Sequence, residues 1–375
     1  MARKTMTVTF ADASQLSLFA YGSGLAYEDT PNMGRLLQMK IAHSVVITPG
    51  RCGLYETTRE LVTGLRALGI DSRMVDPTFK TNQLFPAGET DDRGALFASE
   101  KWAASADVFA NHSGLSEGLE RLDKRVIHVA HGRPRSSFLQ GLRGVPVYGY
   151  QYAKDKDPNF TDVVTFWPSH VPYLEVMWPD TPITCVRAPV DLDAWTPDGP
   201  SGYKFGGHGG VTNVVVTDAW REDIDPFTCL NAFALWAREY DQKAKLHIYG
   251  APTRDKRIMA AWNPLLRTIQ DQDNLGEIKP WVRGLAHVYR AADMLISPNN
   301  IDTRSVREAM ACGCPVARMP AYDIRGLVDS MTAEIARHRS DVRRDAECLF
   351  DPEDTAREFL AVADKGNTRT LEAAE

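Results

Sequence analysis

Twice along this chain, short apolar runs rich in β-branched residues alternate with stretches of helical spacing. Such an alternation leaves few folds open. Strands joined through helices run parallel, and a parallel sheet needs helices on both of its faces. The first series opens with "KIAHSVVIT" (40–48), ending at Pro49-Gly50. "GLYETTRELVTGLRALG" (53–69) follows, with Leu54, Leu61, Leu65 and Leu68 at helical spacing and Gly69 as the stop. "DSRMVDP", "ADVFANHS", "KRVIHVAHG", "GVPVYGY" and "VVTFWPS" read as further strands. A stretch rich in Pro, Gly and Asp, "RAPVDLDAWTPDGPSGYKFGGHGG", breaks the pattern. The second series then runs "VTNVVVTDA", "PFTCLNAFALWAREY", "AKLHIYG", "GLAHVYRAA", "DMLISP", "SVREAMAC" and "CPVARM". "DPEDTAREFLAVADKG" closes the chain as an amphipathic helix.

The expected fold class is therefore α/β, with two Rossmann-like, doubly wound parallel-sheet domains facing a cleft. The expected boundaries are an extension over 1–38, a first domain over 39–190, a linker over 191–210, a second domain over 211–350 and a helix over 351–375. A length of 375 residues agrees, since a single core rarely grows so large. In doubly wound sheets ligands bind outside the carboxyl ends of the strands.

Composition excludes some classes. The chain is 43% hydrophobic and 25% charged, like an ordinary soluble protein. A net charge of −6 argues against a broad nucleic-acid surface. No apolar run approaches the roughly 20 residues of a spanning helix, and "MARKTMTVTFADASQ" lacks the apolar core of a signal peptide. The six cysteines form no C-x-x-C and read as free thiols. A cytoplasmic protein with no membrane span is expected.

The most distinctive stretch is "AADMLISPNNIDTRSVREAMACGCPVA" (291–317). It resembles the GT-B glycosyltransferases, in particular the retaining "group 1" family that uses nucleotide-sugar donors; "EAMACGCPVA" carries the resemblance most closely. "PGRCGLYETTRELVTGLRALG", "RAPVDLDAW" and "KLHIYGAP" resemble the family more loosely. The resemblance implies that the second domain binds the donor, a UDP- or GDP-sugar, and that Glu308 hydrogen-bonds the two ribose hydroxyls of its nucleotide. Asn300 falls where the family has a first glutamate. The family's Arg–Lys pair for the donor diphosphate is reduced here to Arg221, which aligns only with a shift.

Each candidate also has a plainer reading. Ser305-Val-Arg-Glu308 is an S-x-x-E capping box, in which Glu308 would only hold the helix end. Residues 300–305 lie between a strand and a helix N-terminus, where amides and dipole favour an anion. Thr303, Arg304 and Ser305 are then donor contacts, or a surface loop with a solvated arginine. Arg51 and Gly53 sit in the matching loop of the first domain, a substrate or phosphate loop or a plain turn. His112 and His131 end neighbouring strands. The resemblance places a histidine near His131 close to the reacting sugar carbon, and Arg133 follows at the cleft edge. Four D-x-D pairs read as solvated turn acids, so no metal is expected, and no cofactor beyond the nucleotide-sugar substrate.

The expected function is transfer of a sugar to an acceptor the sequence does not name, whether glycan, protein, small molecule or nucleic acid. Transfer is expected with retention and without metal. The alternative is a catalytically inert GT-B-like protein that binds a nucleotide or sugar.

Overall fold

The computed structural model describes residues 38–45, 53–75, 98, 100–112, 125–131, 160–206, 210–217, 226–250, 256–280, 282–297, 299, 301–318 and 322–372. Its first half carries β1 (Lys40–Ser44), α1 (Gly53–Ala67), β2 (Asp71–Val75), α2 (Glu100–Ala104), β3 (Val108–Asn111), β4 (Arg125–Ala130), β5 (Phe160–Thr165), α3 (Val171–Met177) and β6 (Ile183–Cys185). These strands form one parallel sheet in the order β2-β1-β3-β4-β5-β6. The second half carries β7 (Asn213–Val216), α4 (Pro226–Glu239), β8 (Lys245–Tyr249), α5 (Lys256–Asp271), β9 (Leu275–Lys279), α6 (Leu285–Ala291), β10 (Met294–Ser297), α7 (Arg304–Ala311), β11 (Val316–Arg318), α8 (Ile324–Glu334) and α9 (Arg339–Phe350). Its five strands form a second parallel sheet, β11-β10-β7-β8-β9. The α/β class with two parallel sheets follows from the sequence as expected. "GVPVYGY" and residues 46–50 lie outside the described residues.

The central strands are buried end to end, as a sheet covered on both faces requires. In the second half one core packs Phe233, Trp236 and Leu327 against the sheet, while Tyr289, Val306, Met310 and Phe350 pack on the other face. The loop after β10 feeds α7, whose C-cap is Cys312. Gly313 then takes φ 72°, the left-handed stop that glycine adopts without strain.

The closing helix α10 (Pro352–Glu372) returns to the first sheet. Asp351 starts it by accepting from the amides of Glu353 (2.8 Å) and Asp354 (3.0 Å). Phe359, Leu360 and Ala363 then join Ile41, Leu61, Leu65, Ile127 and Phe166 in the first core. Gly64 permits the close approach of α10 to α1, because a Cβ there would lie 2.2 Å from the carbonyl oxygen of Pro352. Gly64→Ala is expected to destabilise the protein by about 1–3 kcal/mol, the usual cost of overpacking. Urea unfolding measures it; an unchanged midpoint would mean that α10 can slide without loss.

Candidate functional site

The first two turns of α1 are unusual. Glu56, Thr57, Thr58, Arg59 and Glu60 are all buried although polar. Buried charges of this kind need partners, and α7 of the other sheet supplies them. Arg304 Nη2 lies 3.1 Å and Nη1 3.3 Å from the two oxygens of Glu60, a bidentate pair. The same guanidinium reaches Glu308 through Nε at 2.5 Å and stands 3.9 Å from Glu56. Arg59 bonds Glu56 at 3.0 Å and lies 3.8 Å from both Glu60 and Asp191. Arg307 donates to Thr57 Oγ1 (3.1 Å) and to the carbonyl of Pro189. Gly53, the first residue of α1, lies against the Arg304 side chain. Ile301, just ahead of α7, packs on the core of the first sheet. The carboxyl ends of the two sheets thus face each other across α1 and the N-terminus of α7.

Electrostatics follow from this crowding. Burial disfavours the charge on Arg304, but Glu60, Glu308 and Glu56 outweigh it and hold the guanidinium above its usual range. Burial pushes the Glu308 carboxyl up to about 7; Arg304 and Arg307 oppose that rise and Glu60 adds to it. Glu308 is therefore a carboxyl poised to titrate near neutrality.

Two sequence expectations change here. The capping box is not formed. Thr303 is the N-cap and makes no side-chain cap hydrogen bond, Ser305 lies inside the first turn, and Glu308 turns to Arg304 one turn back. Arg304 is not a solvated loop residue either: it opens α7 and its charge is already met by three carboxylates. Local spacing suggested a cap, but a guanidinium four residues away is the stronger partner for a carboxylate.

His131 follows β4, half-buried, with Nε2 2.7 Å from His112 Nδ1 and its ring edge-on to Phe166. His131 and the α1–α7 cluster are linked electrostatically, since Arg307 helps burial to keep the imidazole neutral. The structure thus brings Gly53, Thr303, Arg304, Ser305 and Glu308 to one place, with His131 within the field of that place. Arg51, Arg133, Arg221 and Asn300 lie outside the described residues. Among the described residues, no group of three or more His, Cys, Asp or Glu side chains could hold a metal ion. No helix among them is long and apolar enough to cross a membrane. Sequence reasoning missed Glu56, Arg59, Glu60 and Arg307. The signal was present: Glu56, Arg59 and Glu60 recur at helical spacing on one face of α1.

No protein-family model matches the chain, and no curated protein matches it in sequence. Solved structures do match its fold. A glycosyltransferase from Rickettsia africae superposes with a TM-score of 0.58 at 11% identity, covering 88% of this chain and 98% of the other. Sucrose-phosphate synthase from Thermosynechococcus elongatus gives 0.60 at 15% identity, over 90% of this chain and all of that one. HepE of Anabaena, solved with UDP and glucose, gives 0.56 at 11% identity, over 88% of this chain and all of that one. These are GT-B proteins, and two facing Rossmann-like sheets give this chain the same fold. The resemblance carried by residues 291–317 therefore holds at the level of fold.

Proposed function

We propose that the protein is a glycosyltransferase that moves a sugar from a nucleotide-sugar donor to an acceptor. The observation that carries this reading is Glu308: a buried carboxylate one turn into α7, the helix that follows the carboxyl end of β10, inside "EAMACGCPVA". A carboxylate there accepts from two ribose hydroxyls at once. HepE, a protein of the same fold, was solved with UDP, which favours a uridine nucleotide over a guanosine one. In this reading Thr303, Arg304 and Ser305 hold the donor with Glu308, while Asn300 and Arg221 complete the same half. Gly53, Arg51 and Arg133 belong to the facing half, where the acceptor enters. His131 stands beside the reacting sugar. Transfer proceeds with retention and needs no metal, because helix N-termini and arginines stabilise the departing diphosphate.

One observation favours the second reading, an inert binding protein. Arg304 and Glu308 are paired with each other and with α1, so a donor must open that pairing to reach them. The test separates the two. UDP, GDP and their glucose conjugates are screened by thermal shift, because a ligand of the folded state raises the melting temperature. UDP is expected to bind, and Glu308→Gln to weaken it by about 1.5–3 kcal/mol, the worth of a charge-assisted hydrogen bond. Product release from the UDP-sugar is then followed with and without EDTA. Binding without turnover would leave the inert reading standing, and loss of turnover on chelation would end the metal-free one.

A further inference from the structure

A row of three imidazoles runs across the first sheet from His43 on β1 to His131 after β4. His43, on β1, is completely buried, and its Nδ1 lies 2.9 Å from Nε2 of His112. His112 Nδ1 lies 2.7 Å from Nε2 of His131 and 3.0 Å from Oγ1 of Thr58 on α1. All three rings are neutral at pH 7. Burial lowers His43 and His131 to about 3, with Arg307 and His128 also acting on His131, and it lowers His112 well below its ordinary value. A neutral imidazole has one N–H and one lone pair. The row can therefore be protonated in only two directions.

In one direction His131 donates from Nε2 to His112, and His112 donates from Nε2 to His43. His43 then carries its proton on Nε2, which is buried and has no hydrogen-bond partner. That leaves an orphaned N–H in the core, and such groups are rare because they cost so much. In the other direction His43 donates from Nδ1 to His112, and His112 donates from Nδ1 to His131. The unpartnered atom at His43 is then only a lone pair. Thr58 agrees from the side. Its single hydroxyl proton goes to the carbonyl of Leu54 at 2.9 Å, so it turns a lone pair toward His112 Nδ1. A lone pair there calls for an N–H on His112, a single proton that faces both Thr58 and the nearer His131 Nε2.

We propose that His43, His112 and Thr58 are positioning residues that fix His131 as the Nδ1–H tautomer, so that it meets the sugar donor as a neutral hydrogen-bond donor and not as a base. The contact with a sugar rests on the glycosyltransferase reading; the tautomer does not. With Nε2 of His131 occupied by the His112 proton, no lone pair remains on the ring to take a proton from an acceptor. Such a role suits a mechanism in which the departing diphosphate removes the acceptor proton.

The full chain, labelled with 15N-histidine, is studied by long-range 1H–15N correlation, with the His131 signals assigned from their loss in His131→Phe. The expected result is an Nδ1–H pattern for His131, unchanged from pH 8 to pH 5. An Nε2–H pattern, or an imidazolium in that range, would overturn the proposal, and neither result depends on activity. His112→Phe is expected to let His131 mix its tautomers and to slow transfer from a UDP-sugar by on the order of tenfold. His112→Gln, which restores a donor, is expected to recover both. A His131 pattern indifferent to His112→Phe would remove the relay. If His112→Phe does not fold, the wild-type spectrum still decides. If the spectra follow expectation but no sugar is transferred with any donor, the relay stands and the glycosyltransferase reading fails.

Discussion

Arg304→Ala is expected to cost about 3–5 kcal/mol of stability at pH 8, the penalty for leaving buried charge without its partner. The guanidinium stands among Glu60, Glu308 and Glu56, whose side chains are only 1%, 7% and 8% exposed. Without it these carboxylates repel one another in a medium that screens poorly. Arg59 and Arg307 remain, but Arg307 is turned to Thr57 and Pro189, and Arg59 reaches Glu60 only at 3.8 Å. Arg304→Lys is expected to recover only part, because one ammonium cannot grip Glu60 with two bonds and still hold Glu308. Adding Glu60→Gln to Arg304→Ala is expected to recover more, since it removes a charge that has lost its partner. Urea unfolding of the single and double variants measures the coupling. A loss below about 1 kcal/mol, the range of an exposed pair, would mean that the two sheets are not joined here in solution.

That pairing also shows where a sequence stops being legible. The alternation of strands and helices could be read because each central strand is a continuous apolar run and each helix restarts a 3.6-residue rhythm. The sequence pattern passed over β9, where "LGEIK" is half-buried throughout as an edge strand. It passed over α5, which carries Pro264 inside it, and α9, a charge-rich helix that buries Val342, Ala346 and Phe350. Glu308 was legible through its surroundings in residues 303–317. The link from this helix to α1 was not, because Arg304 and Glu60 are 244 residues apart and no local period reports such a contact. The histidine row was hidden for the same reason. His43 sits in a run that reads simply as strand, and only sheet order brings it beside His112 and His131.

Glu308 is expected to make the protein less stable as pH rises from about 4.5 to about 7. Its carboxyl titrates near 4.5 in the unfolded chain and at about 7 in the folded one. Between those values the folded state holds a proton that the unfolded state has released, so stability falls with rising pH and levels off above 7. The interval corresponds to roughly 3 kcal/mol. Glu308→Gln cannot ionise and is expected to lack this slope, so its advantage over the natural protein grows from pH 5 to pH 8. Donor binding is expected to move the other way. The two ribose hydroxyls need a carboxylate that only accepts, so affinity for UDP strengthens as pH rises through 7 and is flat in the glutamine variant. Stability is read from urea unfolding and affinity from calorimetry over the same pH series. A buried carboxyl that merely held the helix end would titrate in stability and leave UDP affinity level with pH. Opposed trends, both lost in Glu308→Gln, identify a group whose ionisation costs the fold something and serves the ligand.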